Sequence, residues 1–276
     1  MISDLVSVFF PLRCVHCGRT GAWLCPECAS ALTPVARLSC GRCGRPARQA
    51  TGASRAAATA STATPISKPG AAPPAGHNCP ECRGRDIHFR SARAAFAYEG
   101  PARSLVHRLK YSGHRRLADF MAELACNQAG LTRPQKAVTL TYVPLHSSKL
   151  VSRGYNQAGL FARALSRRLD LPLQDLLCKQ HLTQPQNQLG YDERRLNPQG
   201  SVALRRDAGR RLRPERAGRV RSRRGREPAP PARIVLVDDV YTTGSTVSEC
   251  ARVLSEGLGA EVDVWTFART VKTGLR

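Results

Sequence analysis

Four pairs of cysteines with the spacing Cys-x-x-Cys lie in the first third of the chain and account for eight of its eleven cysteines. Two thiolates separated by two residues can reach one tetrahedral Zn²⁺ from a tight turn, and Gly18 and Gly44, which directly follow two pairs, suit the positive φ of such turns. Four pairs predict two structural zinc ions, with redox dithiols as the alternative. Two neighbouring pairs could share one ion, or the pairs could be grouped in a crossed order; both groupings give each ion four cysteine ligands. The pairs are Cys14/Cys17, Cys25/Cys28, Cys40/Cys43 and Cys79/Cys82.

A second group of residues with chemical potential is the segment IVLVDDVYTTGST, residues 234–246. Four apolar residues typical of a buried parallel strand lead into Asp238 and Asp239, and a hydroxyl-rich turn follows that opens a helix. Free N–H groups and the dipole at a helix start favour a phosphate group. Paired carboxylates can accept hydrogen bonds from vicinal ribose hydroxyls and lie close to a bound Mg²⁺. The segment therefore predicts a ribose 5-phosphate site. A strand end and a capped helix alone would leave the paired acids unexplained.

The elements that must position these residues alternate between strands and helices. Apolar periodicity predicts four helices: one at 101–111, one after Gly113, one at 156–169 and one after the hydroxyl-rich turn. Alternation of this kind predicts an α/β domain with a mostly parallel sheet and helices on both faces. Ligands of such folds bind at the carboxyl ends of the strands, where Asp238 and Asp239 are expected. The predicted strands are 92–98, 138–145, 173–179, 233–237 and 261–268.

Composition marks two segments that interrupt this pattern. Residues 48–76 contain Ile66 as their one large apolar side chain, which predicts a disordered insertion in a zinc-ribbon domain spanning 1–90. The domain 91–276 is predicted to carry a second insertion at 205–231, a flexible basic loop. Between Arg205 and Arg226 it holds eleven arginines and two acids, a local net charge of +9. Such a loop either contacts nucleic acid or is a solvated linker.

The net charge of the whole chain is +23, with a pI near 10.6. This charge favours polyanionic partners, although a basic bias of an Arg-rich proteome is the alternative. The N-terminal run MISDLVSVFFPLRC lacks a basic leader and a cleavage site, so a packing helix is predicted there. No stretch approaches the roughly 18 apolar residues of a spanning helix. A soluble, cytoplasmic protein without membrane insertion is expected.

Specific segments carry a resemblance to known families. Residues 234–246 resemble the diphosphoribosyl-binding motif of type I phosphoribosyltransferases. Three further segments, together with the preceding cysteine pairs, resemble the competence protein ComF family: LKYSGHRRLA (109–118), VPLHSSKLVSRGYNQA (143–158) and TQPQNQLGYDERRLNPQGS (183–201). Members of that family join a double zinc ribbon to a type I phosphoribosyltransferase-like domain. The sequence departs from the family pattern in its two long insertions and at Val202-Ala203-Leu204, where an aromatic residue is more usual.

The resemblance implies roles for individual residues. Asp238 and Asp239 would bind the ribose hydroxyls and, in an active enzyme, stabilise positive charge at C1 as the catalytic pair. Lys149 and Arg153, in a loop at 149–156, would bind the pyrophosphate side of phosphoribosyl pyrophosphate, which would be accompanied by Mg²⁺. The 5-phosphate would contact Thr242, Thr243, Gly244, Ser245 and Thr246. Candidates for a mobile lid are Gln186, Arg194 and Asn197.

Three functions are compatible with these features. The first is the family role, an accessory protein of natural transformation and DNA uptake that handles single-stranded DNA and retains a phosphoribosyl pyrophosphate-type site. Its candidate partners are a competence helicase or other DNA-processing proteins. The second is an active phosphoribosyltransferase on an unidentified acceptor, and the third is a non-enzymatic zinc-ribbon adaptor. Turnover distinguishes the second function, and salt-sensitive DNA binding separates the first from an adaptor that acts only through proteins.

Overall fold

The structure is a computed structural model that describes residues 12–35, 39–46, 79–180, 200–212 and 231–271. Several predicted features lie outside these ranges: most of the N-terminal helix, the insertion 48–76, the lid candidates Gln186, Arg194 and Asn197, and the arginine-rich segment from 213 to 230. In chain order the elements are α1 (Pro26–Ser30), β1 (Ser91–Ala97), α2 (Gly100–Tyr111), α3 (Leu117–Asn127), β2 (Thr139–Tyr142), α4 (Ser147–Arg153), α5 (Gln157–Leu169), β3 (Leu177–Lys179), β4 (Val202–Leu204), α6 (Ala208–Arg211), β5 (Arg233–Tyr241), α7 (Ser245–Leu258) and β6 (Glu261–Arg269).

The centre of the fold is a four-stranded sheet in the order β1-β6-β5-β2, in which every neighbouring pair is parallel. Parallel strands are buried on both faces, and the run Ile234, Val235, Leu236 and Val237 in β5 is accordingly inaccessible to solvent. The predicted α/β class with a mostly parallel sheet is confirmed. None of the helices in the described ranges combines the length and apolar character needed to cross a bilayer.

Helices cover both faces of this sheet, as predicted. On one face α2, α3 and α5 pack against Val235 and Val237, and on the other α7 packs against Ile234 and Leu236. Phe161 of α5 contacts Phe267 of β6 edge-on, with ring centroids 5.9 Å apart. Each fully buried Leu or Phe side chain contributes about 1.5–3 kcal/mol. Two cores therefore hold β5 between them and fix the position of its two aspartates.

The strand β5 is longer than predicted. It runs through Tyr241, which pairs with Arg269 of β6, because Val240 packs against one core and Tyr241 is buried in the other. Asp238 and Asp239 thus lie within the last part of the strand and not beyond its end. The strand predicted at 138–145 is shorter, covering Thr139–Tyr142.

Two predictions about the remaining segments are wrong in part. Of the strand predicted at 173–179, Leu177–Lys179 forms β3, which pairs antiparallel with β4 in a separate two-stranded sheet. Leu173 makes a single parallel bridge to Leu140 before the chain leaves the main sheet. The predicted flexible loop begins with the short helix α6, which forms because Ala208 is buried against the α7 core.

The zinc-ribbon segment is joined to the main sheet by backbone hydrogen bonds. The amide of Val35 donates to the Ala95 carbonyl and the amide of Ala97 donates to the Thr33 carbonyl, beside a bridge between Pro34 and Phe96. An uncovered edge strand would expose unpaired N–H and C=O groups. The ribbon segment therefore covers the free edge of β1.

Candidate functional site

The eight paired cysteines form two clusters of four. Within each cluster all four sulfurs lie within 4.8 Å of one another. The first cluster contains Cys14, Cys17, Cys25 and Cys28, and the second contains Cys40, Cys43, Cys79 and Cys82. Of the two groupings that the sequence left open, the structure has the sequential one.

The cysteine geometry fits tetrahedral zinc. The Sγ atoms of Cys43 and Cys79 are 3.6 Å apart, and those of Cys40 and Cys82 are 3.7 Å apart. A tetrahedron with Zn–S bonds of about 2.3 Å has sulfurs about 3.8 Å apart. All eight sulfurs belong to free cysteines. Two structural zinc ions can therefore be held by the thiolates of this chain, where they would fix the turns that carry them.

The turns around the first and third pairs depend on glycine, as predicted. Gly18 and Gly44 have φ values of 81° and 70°, in the left-handed region that side chains disfavour. A Cβ atom at Gly44 would lie 2.3 Å from the carbonyl oxygen of Ala92, the second residue of β1. The second cluster can approach the sheet this closely because residue 44 has no side chain.

The predicted ribose site centres on Asp238 and Asp239 near the carboxyl end of β5. The Asp239 side chain is 5% exposed, and its Oδ2 atom lies 2.6 Å from Nζ of Lys110, in the last turn of α2. Lys110 is the one partner of this Oδ2 among the described residues, so the oxygen can accept a further hydrogen bond. A buried carboxylate with free hydrogen-bonding capacity suits a ligand hydroxyl or a divalent cation.

Asp238 is half-buried, and its Oδ1 atom accepts a hydrogen bond of 2.9 Å from the backbone amide of Asp239. Burial and the neighbouring Asp239 carboxylate raise the pKa of Asp238 well above its ordinary value of 3.8. Asp238 therefore resists ionisation unless a ligand supplies hydrogen-bond donors or positive charge. Hydrogen-bond donors or a cation brought by a ligand would therefore stabilise the ionised form of Asp238 beside Asp239.

Replacing Asp238 with asparagine should stabilise the ligand-free protein at neutral and alkaline pH. Because the pKa is raised in the folded state, that state binds more protons than the unfolded chain, and wild-type stability falls as the pH rises above 3.8. Every tenfold change in proton affinity corresponds to about 1.4 kcal/mol, or about 2–4 °C in Tm for a chain of this size. Thermal denaturation across pH should show a Tm gain that shrinks towards pH 4.

The control for this measurement is Asp119→Asn, which removes an exposed carboxylate on α3 that pairs with Arg167. It should show no Tm gain that grows with pH. A Tm difference for Asp238→Asn that stays constant with pH, or that is negative at neutral pH, would contradict the raised pKa of the Asp238 carboxyl.

The predicted phosphate loop follows β5 directly and leads into α7. Gly244 caps this 14-residue helix in the left-handed conformation, with φ of 80°. Thr243 Oγ1 lies 3.1 Å from Ser245 Oγ and accepts a 3.4 Å hydrogen bond from the Ser245 amide. The side chains of Thr242, Thr243 and Thr246 are exposed. The loop thus presents hydroxyls and a helix N-terminus at the same edge of the sheet as the two aspartates.

Tyr241 fixes the shape of this loop. A Cβ atom at Gly244 would lie 2.2 Å from the Tyr241 hydroxyl, so glycine is required by both φ and contact. Burial raises the pKa of Tyr241, so that its hydroxyl stays protonated. The Thr270 hydroxyl donates to the backbone carbonyl of Thr242 at 3.2 Å and holds the other side of the turn.

Arg269 connects the loop to the second cysteine cluster. Its side chain is 1% exposed and donates at 2.6 Å both to the Cys43 carbonyl and to Oε2 of Glu81, which lies between Cys79 and Cys82. The same guanidinium lies over the Tyr241 ring, 5.0 Å from its centroid. A continuous set of contacts therefore runs from the second cluster through Arg269 and Tyr241 to Gly244.

The placement of Lys149 and Arg153 differs from the prediction, because residues 147–153 form helix α4 and not a loop. The His146 side chain accepts from the Ser148 amide at the start of α4, and Gly154 ends it with φ of 74°. Since α4 follows β2, which neighbours β5, both cations belong to the ligand edge of the sheet. Arg153 donates to Gln157 Oε1 at 3.0 Å, whereas Lys149 extends into solvent.

Sequence reasoning missed Lys110 and Arg269. Lys110 belongs to the quoted segment LKYSGHRRLA, but nothing in its local pattern separates it from other lysines and arginines at helix ends. Arg269 follows an apolar strand, where an arginine would ordinarily be expected to extend into solvent. The signal that could have found them is the acid that each one pairs with. Asp239 and Glu81 have no cation beside them in the sequence, so each needed one from elsewhere in the chain.

Comparison with known proteins gives matches over both parts of the chain. The model of the double zinc ribbon domain matches residues 5–60, which include the first three cysteine pairs. Competence protein F of Haemophilus influenzae is 32% identical over 178 residues, covering 62% of this chain and 69% of that protein. DNA utilization protein YhgH of Escherichia coli O157:H7 is 29% identical over 209 residues, covering 72% and 82%. Competence protein ComFC of Bacillus subtilis is 25% identical over 215 residues, covering 71% and 79%.

Proposed function

The chain belongs to the competence protein F family, and on that premise we propose that it is a cytoplasmic accessory protein of DNA uptake that binds phosphoribosyl pyrophosphate with Mg²⁺ and contacts single-stranded DNA. The observation that carries the ligand proposal is the position of the buried Asp239, paired with Lys110, one short turn before the glycine-capped start of α7. This position supports the proposal because carboxylates that could accept from ribose hydroxyls are followed directly by a helix start whose N–H groups could hold a phosphate.

The proposed binding mode assigns a task to each group. The Asp238 and Asp239 carboxylates accept hydrogen bonds from the ribose hydroxyls, and the amides and hydroxyls of residues 242–246 hold the 5-phosphate. Lys149 and Arg153 supply positive charge to the pyrophosphate. Mg²⁺, when bound, neutralises phosphate charge, and the oxygen-rich aspartate pair is chemically suited to lie beside it.

The ligand proposal is tested by calorimetric titration of the wild-type chain. Phosphoribosyl pyrophosphate should bind more tightly with Mg²⁺ than without it, because the site on the protein side carries two acids that oppose the charge of the free ligand. Ribose 5-phosphate should bind more weakly, because it cannot reach Lys149 and Arg153. The absence of heat with all ligands, for a protein that is folded and holds zinc, would refute the ligand proposal.

An active phosphoribosyltransferase is the second candidate. The raised pKa of Asp238 beside the proposed C1 position favours it, because perturbed carboxyls gather at reactive sites. The reaction would break the bond from C1 to pyrophosphate and form one to an acceptor. Pyrophosphate release that depends on an added base or other acceptor would establish turnover, whereas binding without release favours the accessory role.

The DNA contact is supported by the net charge of +23 and by the names of the relatives, which refer to competence and DNA utilization. Single-stranded DNA should bind with little sequence preference, and log K should fall with log salt by about 0.7 for each phosphate neutralised. Deleting residues 213–226 should lower the slope and leave phosphoribosyl pyrophosphate binding intact. The deletion starts at 213 because Arg205 pairs with Asp175 and Ala208 is buried. An unchanged slope would mean that the arginine-rich segment is only a linker.

A further inference from the structure

The outer side of α2 carries a stripe of residues that the proposed ligand site does not use. Arg103, His107 and Tyr111 follow one another at intervals of four, so they lie along one side of the helix and are all exposed. The stripe spans about 12 Å, at about 1.5 Å per residue. One end meets the first zinc knuckle, and the other meets α4. We call these three residues the α2 stripe.

An open cleft lies at the knuckle end of the stripe. It has a volume of about 490 Å³ and includes His16, Arg103, His107 and Arg108 in its lining. His16 of the knuckle and Ser104 of α2 meet across it, with Nδ1 and Oγ 3.0 Å apart. The remaining lining residues are Val15, Gly100 and Ser104, so the cleft contains no carboxylate.

The two arginines of this cleft differ from those arginines of the described ranges that are paired with acids. Arg90, Arg167 and Arg252, for example, pair with acids. Arg103 and Arg108 have no ion pair with any residue that the structure describes. Two exposed guanidinium groups without an acidic partner form a site for the phosphate groups of a polyanion.

An exposed aromatic ring lies at the other end of the stripe. Tyr111 is 64% exposed and is the one aromatic residue among the large exposed hydrophobic side chains of the described ranges. The His107 ring lies 4.7 Å from it, and the Arg153 guanidinium lies 5.0 Å from its centroid. An exposed ring beside a guanidinium group can stack on an unpaired base. The bases inside a duplex are already stacked and paired, so they are not available for this contact.

We propose that the α2 stripe and the cleft beside it are the binding surface for single-stranded nucleic acid, with phosphates at Arg103 and Arg108 and a base stacked on Tyr111. The inference rests on the DNA contact of the proposed function and gives it a location. The stripe accommodates about three to four stacked nucleotides at about 3.4 Å each. The strand would connect the first zinc knuckle with Arg153, at the edge of the ligand site.

Fluorescence anisotropy with labelled oligodeoxythymidine tests the surface across a series of salt concentrations. Tyr111→Leu should weaken binding roughly five- to a hundredfold, because one stacked base is lost, whereas Tyr111→Phe keeps the ring and should stay within about twofold. The double variant Arg103→Ala/Arg108→Ala should lower the salt slope by about 1.4, from two phosphate contacts. The matched control Arg167→Ala/Arg168→Ala removes the same charge from α5 and should leave the slope unchanged. Circular dichroism and zinc content should match the wild type in every variant.

The outcomes separate this surface from the broader proposal. If the wild type binds DNA but the Tyr111 and arginine variants behave like the control, the α2 stripe is not the DNA surface and the DNA contact lies elsewhere. If the wild type does not bind, the DNA contact itself is refuted. Oligouridine bound as tightly as oligodeoxythymidine supports a surface that reads stacking and phosphate but not the sugar. A duplex bound more tightly than the single strand would overturn the role of Tyr111.

Discussion

Replacing Cys43 with serine is expected to remove one of two zinc ions, to lower stability by several kcal/mol and to weaken phosphoribosyl pyrophosphate binding at least about tenfold. A structural zinc ion contributes on the order of 10 kcal/mol or more to the segment that binds it, and three thiolates retain only part of that energy. Cys43 is 1% exposed, and its backbone carbonyl accepts a hydrogen bond from Arg269, which lies over Tyr241. Loss of this turn should therefore loosen the support of the phosphate loop.

The matched control is Cys17→Ser, which alters the first cluster. It should also reduce the zinc content from two ions to one, but it should leave ligand affinity within about twofold, because no described contact leads from Cys17 to the loop. Zinc content by elemental analysis, Tm and calorimetric affinity would be measured for both variants. Equal losses of affinity would show that zinc acts only through general stability, and no zinc in a reduced, chelator-free preparation would remove the metal hypothesis.

The double variant Asp238→Asn/Asp239→Asn should lose phosphoribosyl pyrophosphate binding by roughly a hundredfold or more while remaining folded. A hydrogen bond to a charged group contributes about 1.5–3 kcal/mol, and two carboxylates are changed at once. The amides keep the side-chain volume and remove the repulsion between the acids, so the fold should persist. Calorimetric titration with Mg²⁺ measures the affinity, and thermal denaturation checks the fold.

The control for the double variant is Asp119→Asn/Glu123→Gln, which removes two exposed carboxylates from α3, on the outside of the domain. It should bind like the wild type. Equal affinity in the aspartate pair variant and this control would show that Asp238 and Asp239 have only a structural role.

The features that sequence predicted are those set by local pattern. The apolar run 234–237, the two aspartates that follow it in the sequence and the helix that begins at Ser245 are contiguous in the chain, so a short window contains the information about them. The cysteine pairs are equally local, since Cys-x-x-Cys and a following glycine define a knuckle without reference to the rest of the fold. The α/β class followed because apolar runs and helical periodicity alternate.

The features that sequence did not predict depend on packing between distant segments. Lys110 reaches Asp239 from the last turn of α2, and Arg269 at the end of β6 is buried where it donates to the Cys43 carbonyl of the second cluster. The sequential grouping of the cysteines depends on how four turns fold together, which their spacing alone leaves open. Helix α4 was missed because its seven residues bury none of their side chains and so carry no apolar periodicity.

The most direct test of the ligand site is a crystal structure of the protein with Mg²⁺ and phosphoribosyl pyrophosphate. The account predicts the 5-phosphate at the amides of residues 242–246 and the ribose hydroxyls within hydrogen-bond distance of the Asp238 and Asp239 carboxylates. Ordered ligand elsewhere on the protein, with the loop after β5 free of phosphate and Asp239 still bound only to Lys110, would contradict it.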